Sequence, residues 1–501
     1  MLFTLLTLLY QVIALLLAVY TVGQLLLLWH YLRSINHPTE YPEHPPYFPS
    51  VTIQLPVYNE RHVVTRLLDA VVLLDYPPEQ LHIQVLDDSD DETYHLIASH
   101  INLLQQQHIH IEHVRRPIRD GYKAGALAYG LSQTDSDFIA IFDADFVPPP
   151  DFLQRTLAIL LADDRYGVVQ TRWGHLNDTH NALTRAQALS VDTHFWIEQT
   201  GRHQAGYFLP FNGTGGVWRR ACIEDAGGWS WDTLTEDLDL SYRAQLRGWQ
   251  AKYLPDMVVP GELPSRLNAY RQQQARWAMG STQSLIKLTP QLLRTRLPFM
   301  TRLMAFHHLA QYLPQPLILL LLILTPIVLI SDVAINLTLP GLMAFVPPFM
   351  YLVTQRRLYA NPLRRLAVFP VLLLIATGLT WSNTKAILQA SNGQGRIFRR
   401  TPKFADATPD SDYALRETRL WGEWALLLFS CFCAWLAWIQ HSQMLVYLLL
   451  YIASFALIIV RQKWESRQAA RHQQYIDNTT SSPDAVQSAP IAAKSWHKFS
   501  S

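Results

Sequence analysis

The chain has 501 residues, 49% of them hydrophobic, with 41 Lys and Arg against 40 Asp and Glu and a formal net charge of +1. No basic surface dominates, which argues against a nucleic-acid-binding protein. Three cysteines, Cys222, Cys431 and Cys433, are too few for a disulfide framework or a zinc site, while the length suits two or three structural units.

Residues 1–32 are almost uncharged and predict a retained transmembrane helix rather than a cleaved leader, because the apolar run is long and no positive charge precedes it. Arg33 and His37 follow it, so the positive-inside rule puts the N-terminus outside and residue 33 onward in the cytoplasm. Proline-rich 33–50 reads as an extended linker.

Strands and helices then alternate. VTIQLP at 51–56, LHIQVL at 81–86, HIHIEHV at 108–114 and DFIAIF at 137–142 are expected strands. Helices are expected from about 60, in the nineties and from Lys123. Short apolar strands between helices predict an α/β domain over 51–290, its mostly parallel sheet covered on both faces. Over 291–462 come apolar runs at about 313–331, 336–354, 366–380, 420–439 and 444–461. The 366–380 run is short, contains Pro370 and has basic residues on both sides, so it is expected to lie along or re-enter the membrane. Five true spans are expected in all, against six by hydropathy. Residues 463–501 are polar and read as a disordered cytoplasmic tail.

Four motifs carry the chemistry. Asp143 and Asp145 end an expected buried strand and point the same way, so together they can reach one Mg²⁺ or Mn²⁺ and through it a diphosphate. Asp87-Asp88-Ser89 ends another strand. It can bind a nucleotide's base and ribose, or simply cap the helix that follows. Asp237, at the start of a helix with Thr235 as its N-cap, can serve as the base in an in-line, inverting displacement. Glu236 can orient the acceptor or serve the helix N-terminus, and Asp239 is expected to be structural. Gln273, Arg276 and Trp277 supply a fixed cation for a diphosphate and an aromatic plane for a sugar, although an Arg-Trp pair also suits a membrane-interface surface.

In this order the motifs resemble the D, DxD, TED and QxxRW set of processive glycosyltransferase family 2. Stretches such as VLDDSDDET, GYKAGAL, VQTRWGHLN, HFWIEQ and FNGTGGVWRR are similar to plant cellulose-synthase-like mannan and glucomannan synthases and their bacterial relatives. The resemblance implies a Rossmann-like GT-A domain in the cytoplasm with an α-helical multi-pass membrane region, and transfer of a β-linked hexose from GDP-mannose or UDP-glucose. Pro56, Tyr58 and Glu60 with Asp87 and Asp88 would line the donor pocket, and Lys123, Asp143, Gln273 and Arg276 would meet the diphosphate. Trp173, Phe211, Asn212, Gly213, Thr214 and Trp277 would border the acceptor. Within 396–404, Phe398, Thr401 and Lys403 resemble the Phe-x-Val-Thr-x-Lys gating loop of cellulose synthases, with Arg400 in place of the Val. The acceptor is expected to be a growing polysaccharide, or alternatively a lipid. A bacterial inner membrane or a Golgi membrane would house the protein, and a subunit for export is an open question.

Overall fold

The computed structural model describes residues 2–35, 41–331, 335–394 and 419–480, with side chains as far as 468. Seven strands form one sheet: β1 (Val51–Val57), β2 (Leu81–Asp87), β3 (Ile111–Val114), β4 (Phe138–Ile141), β5 (Tyr166–His175), β6 (Gly216–Arg219) and β7 (Gln250–Gly261). Their order is β3-β2-β1-β4-β6-β5-β7. Strands β3, β2, β1 and β4 are mutually parallel, and β5 is parallel to β7.

The expectation of a mostly parallel sheet needs one correction: β6 runs antiparallel to both β4 and β5. The reason is topological. After β5 the helices Ala182–Thr193 and Thr200–Ala205 do not cross back under the sheet. The chain re-enters at the end where β5 left it, with Gly216 opposite both Ile141 and Gln170. The sheet is therefore mixed.

Both faces are covered, which is why β1 is buried at nearly every position rather than alternating. One face packs Ile53, Leu55, Val85 and Phe142 against helices Val64–Val71, Thr93–Gln106 and Phe152–Ala162. The other packs Ile139, Ile141 and Trp218 against helices Tyr122–Leu131 and Glu236–Leu246. All the parallel strands deliver their C-terminal ends to one side of the molecule, where a ligand crevice is expected.

Among the described residues three helices are long and apolar enough to cross a membrane: Leu2–Ser34, Trp421–Ile439 and Leu445–Gln468. Two further pairs qualify only when joined across a bend, Phe299–Leu309 with Pro314–Ile330 (65°) and Pro362–Gly378 with Thr380–Ser391 (41°). The run at 336–354 does not form the expected span. It divides into Thr338–Met343 and Val346–Leu358, interrupted near Pro347 and Pro348, neither long enough to cross. The segment near 366–380 instead belongs to the second bent pair, the geometry of a broken span or a re-entrant loop.

The tail also departs from expectation, because the last helix runs from Leu445 through to Thr480. An apolar helix is already nucleated there, and the sequence that follows, KWESRQAARHQQ, is rich in good helix formers, so propagation continues past 463. The first helix lies against the α/β domain, with Leu28 and Tyr31 packed on Ile197 and Met350. The expected loop residues Phe398, Thr401 and Lys403 lie outside the described residues.

Candidate active site

A cavity of about 510 Å³ opens at the C-terminal ends of β1 and β4. Its wall includes Pro56, Tyr58, Glu60, Asp88, Lys123, Asp143, Asp145, Trp173, Phe211, Asn212, Gly213, Glu236, Asp237, Gln273, Arg276 and Trp277. All four sequence motifs thus converge on one space, from segments nearly two hundred residues apart.

At the centre is Lys123, in the first turn of its helix. Its ammonium donates to Asp143 Oδ1 at 2.5 Å and to the Gly213 carbonyl at 2.9 Å, and lies 3.9 Å from Glu236 Oε1. Burial alone would lower the lysine, but Asp143 and Glu236 outweigh it and hold its pKa above the usual value. The Asp143 main-chain N–H donates to Thr214 Oγ1 at 2.9 Å. Thr214, fully buried, therefore supports the strand end rather than lining the cavity. Asp145 is buried, and its Oδ2 accepts the Glu262 N–H at 3.0 Å while Arg66 ties Glu262 at 2.8 Å.

Asp237 opens the helix Glu236–Leu246, and its Oδ1 accepts the N–H of Leu238 at 2.8 Å. Burial, with help from the neighbouring Glu236 and against Lys123, raises its pKa from the usual carboxylate value to about 7. Such a carboxylate exchanges protons readily near neutrality, as a general base must. Gly213 makes this approach close. It sits at φ +85°, and a Cβ placed there would lie 2.9 Å from Asp237 Oδ2 and 3.4 Å from Lys123 Nζ.

Thr235 occupies the N-cap position but makes no side-chain cap, and its hydroxyl instead meets Ser284 Oγ at 3.2 Å. Ser284 belongs to the long helix Leu267–Arg294, which also carries Gln273, Arg276 and Trp277. Gln283 on the same helix accepts the Leu234 N–H at 2.9 Å, and Gly280 lets the helix lie against Thr235, where a Cβ would come within 2.5 Å of Thr235 Cγ2. The two motifs are bolted together. Burial pulls the Arg276 guanidinium below its usual range while Glu236, Asp143 and Asp237 draw it back. Asp239 is fully buried and paired with Arg243 and Lys287, each at 2.8 Å, as a structural carboxylate should be.

The aspartates of the pair 87–88 part company. Asp87 does not line the cavity. Its carboxylate turns inward and accepts from Ser89 N at 2.8 Å and from His113 Nε2 at 2.8 Å, bonds that outweigh its burial and hold its pKa low. Asp88 does line the cavity, gripped by Arg116 at 2.6 and 2.8 Å. Arg119 lies 3.4 Å over the Tyr58 ring and 3.7 Å from Asp88, making a cationic wall that motif reading missed.

Also missed were His194 and Glu198, which face the cavity from a π-helical turn, His194–Gln199. His194 meets Glu198 at 3.1 Å and Asn212 at 3.3 Å. π-turns occur often at functional sites, but side-chain periodicity does not announce them.

Comparison with known proteins places this geometry. Residues 49–280 match the family model Glycosyltransferase like family 2. Over 253 residues the chain is 42% identical to a probable glucomannan 4-beta-mannosyltransferase 4 from Oryza sativa subsp. japonica, covering 50% of this chain and 46% of that protein. It is 42% identical to glucomannan 4-beta-mannosyltransferase 2 from Arabidopsis thaliana, over 50% and 47% of the two chains. With glucomannan 4-beta-mannosyltransferase 1 from Cyamopsis tetragonoloba it shares 41% over 261 residues, 51% and 50% of the two chains. The chain spans about half the length of the curated relatives it matches. Its fold is shared with the mannosyltransferase PcManGT from Pyrobaculum calidifontis, solved in complex with GDP-Man and Mn²⁺. That match has TM-score 0.56 and 21% identity, over 76% of this chain and 99% of that one.

Proposed function

Starting from a family 2 glycosyltransferase domain at residues 49–280, we propose that the protein is a membrane-bound, inverting β-hexosyltransferase that extends a polysaccharide of the mannan or glucomannan type. GDP-mannose is the preferred donor in this reading and UDP-glucose the alternative. The support is that the relatives are named glucomannan mannosyltransferases and the fold neighbour was solved with GDP-Man.

The observation that carries the reading is the grouping of Lys123, Asp143 and Asp237 around Gly213. Tyr58, Asp88 and Arg119 form the wall suited to a nucleoside, with the diphosphate directed toward Lys123 and Arg276. The acceptor hydroxyl gives its proton to Asp237 as its oxygen bonds to the anomeric carbon. The bond from that carbon to the diphosphate oxygen breaks, and its electron pair leaves with the diphosphate, where Lys123 and Arg276 meet the new charge. Single displacement inverts the anomeric configuration.

Asp143 and Asp145 fit a Mg²⁺ or Mn²⁺ ion. They offer hard oxygen ligands, and a cation, the Lys123 ammonium, already stands 2.5 Å from Asp143. When bound, the ion neutralises diphosphate charge. Glu262 and Arg66 hold Asp145 in register for that role. In this reading the apolar helices cross the bilayer with the N-terminus outside and the catalytic domain in the cytoplasm. His194, Glu198 and Trp277 line the acceptor side.

Full-length protein in detergent, given radiolabelled GDP-mannose or UDP-glucose, tests the proposal. Labelled polymer that resists organic extraction supports it. A chloroform-soluble product would replace the polysaccharide acceptor with a lipid, and no transfer from either donor would remove the reading.

A further inference from the structure

We propose that His82, His110 and Glu112 form a binding site for a tetrahedral transition-metal ion of the Zn²⁺ kind on the edge of the sheet. The proposal is independent of the glycosyl-transfer reading. It begins with register. Strands β2 and β3 pair Ile83 with Ile111 and Gln84 with Glu112, so His82 stands opposite His110. Side chains alternate along a strand, and all three residues therefore share one face of the sheet.

Their donor atoms lie within 4.8 Å of one another. His82 Nε2 and Glu112 Oε2 are 3.3 Å apart. An ion holding its ligands at about 2.0–2.1 Å in a tetrahedron needs neighbouring donors roughly 3.3–3.4 Å apart, so this pair is already at coordinating separation. The two imidazoles lie against each other, with centroids 4.6 Å apart and planes 25° from parallel.

His82 Nε2 is buried and, although near Glu112, is not aligned with it for a hydrogen bond. Three ligands with His110 and Glu112 exposed leave a fourth position for water.

The site is structural, not catalytic. His82 lies five residues before Asp87, about 16 Å along β2 from the cavity end. An ion there would clip the four-residue edge strand β3 to β2. His113 within β3 and Arg116 just after it are the residues that hold Asp87 and Asp88.

The test uses full-length protein in detergent, stripped with EDTA and returned to excess Mg²⁺, then titrated with ZnCl₂ by calorimetry. The expected result is a zinc event that raises Tm in the wild type. His110→Ala and Glu112→Gln should each weaken it more than about tenfold. Both residues are exposed, so the variants should fold, and their glycosyl transfer in Mg²⁺ should match the wild type. Bound Co²⁺ should show a tetrahedral visible absorption that His82→Ala removes. A zinc titration unchanged by these substitutions would assign the uptake to other histidines and overturn the proposal, as would the absence of zinc uptake by the wild type.

Discussion

Replacing Asp237 with asparagine should move catalysis and stability in opposite directions. The carboxylate is raised from about 3.9, its value in an unfolded chain, to about 7 in the fold. The folded state therefore holds this proton roughly a thousandfold more tightly, equivalent to about 4 kcal/mol. The figure is an upper bound, because Asp237 faces a cavity that water can screen. With a raised pKa, the group's contribution to stability is fully present below about pH 4 and is lost as pH rises through about 7. Asparagine removes that loss, so the variant should melt above the wild type at pH 8.5 and show no such gain at pH 4.

Catalysis should fall by about 10²–10⁴, or roughly 3–5 kcal/mol in the barrier, because a positioned base acts in the transition state. Donor binding should survive, and wild-type turnover should climb with pH through about 7. Thermal unfolding without donor, calorimetry with GDP and radiolabel transfer measure these separately. Turnover within tenfold of wild type, or a pH–stability curve identical to it, would refute the assignment of Asp237 as a buried base.

Asp145→Ala should weaken Mn²⁺-dependent donor binding by several kcal/mol, about a hundredfold or more. Equal loss of binding in this variant and in Asp237→Asn, read by calorimetry, would mean the two roles are wrongly divided. Gly213→Ala places a methyl 2.9 Å from Asp237 Oδ2 on a backbone at φ +85° and should cut kcat by about a hundredfold or more, with a fold intact by circular dichroism. Trp277→Ala should shorten the product more than it raises KM for the donor, as sizing of labelled polymer will show. Arg271→Ala strands the buried carboxylate of Glu423 and should cost about 3–5 kcal/mol in detergent, whereas Arg271→Met combined with Glu423→Gln should recover much of it.

The sequence made the parallel half of the sheet legible because β1, β2 and β4 are short segments rich in Val, Ile, Leu and Phe set between helical stretches. The acids at the ends of such strands, Asp88, Asp143 and Asp145, line the cavity for the same reason. What stayed hidden depends on register. Neighbouring residues at a strand end face opposite ways, and nothing in Asp87-Asp88 says which of them turns inward to His113. The supports of Asp145 come from Arg66 and Glu262, far away in the chain. Glu423 was legible and overlooked: a lone carboxylate entering an apolar helix is itself a signal.

That carboxylate links the apolar helices to the cavity. Arg271 donates to Glu423 at 2.5 Å and to Gln462 at 2.9 Å, while Glu465 accepts the N–H of Leu267 at 2.9 Å and of Asn268 at 3.3 Å. The start of the Leu267–Arg294 helix is thus capped and charge-paired by the last two apolar helices. Further along, the same helix places Arg276 and Trp277 at the cavity and holds Thr235 through Ser284. A helix of 28 residues is about 42 Å of nearly incompressible rod. Anchoring its start on the apolar helices Trp421–Ile439 and Leu445–Gln468 therefore bears on the placement of Thr235, and of Asp237 two residues on, through Ser284. Gly280 and Gln283 convert that placement into the orientation of the proposed base, so the QxxRW helix is as much a strut from the apolar helices as a wall of the cavity.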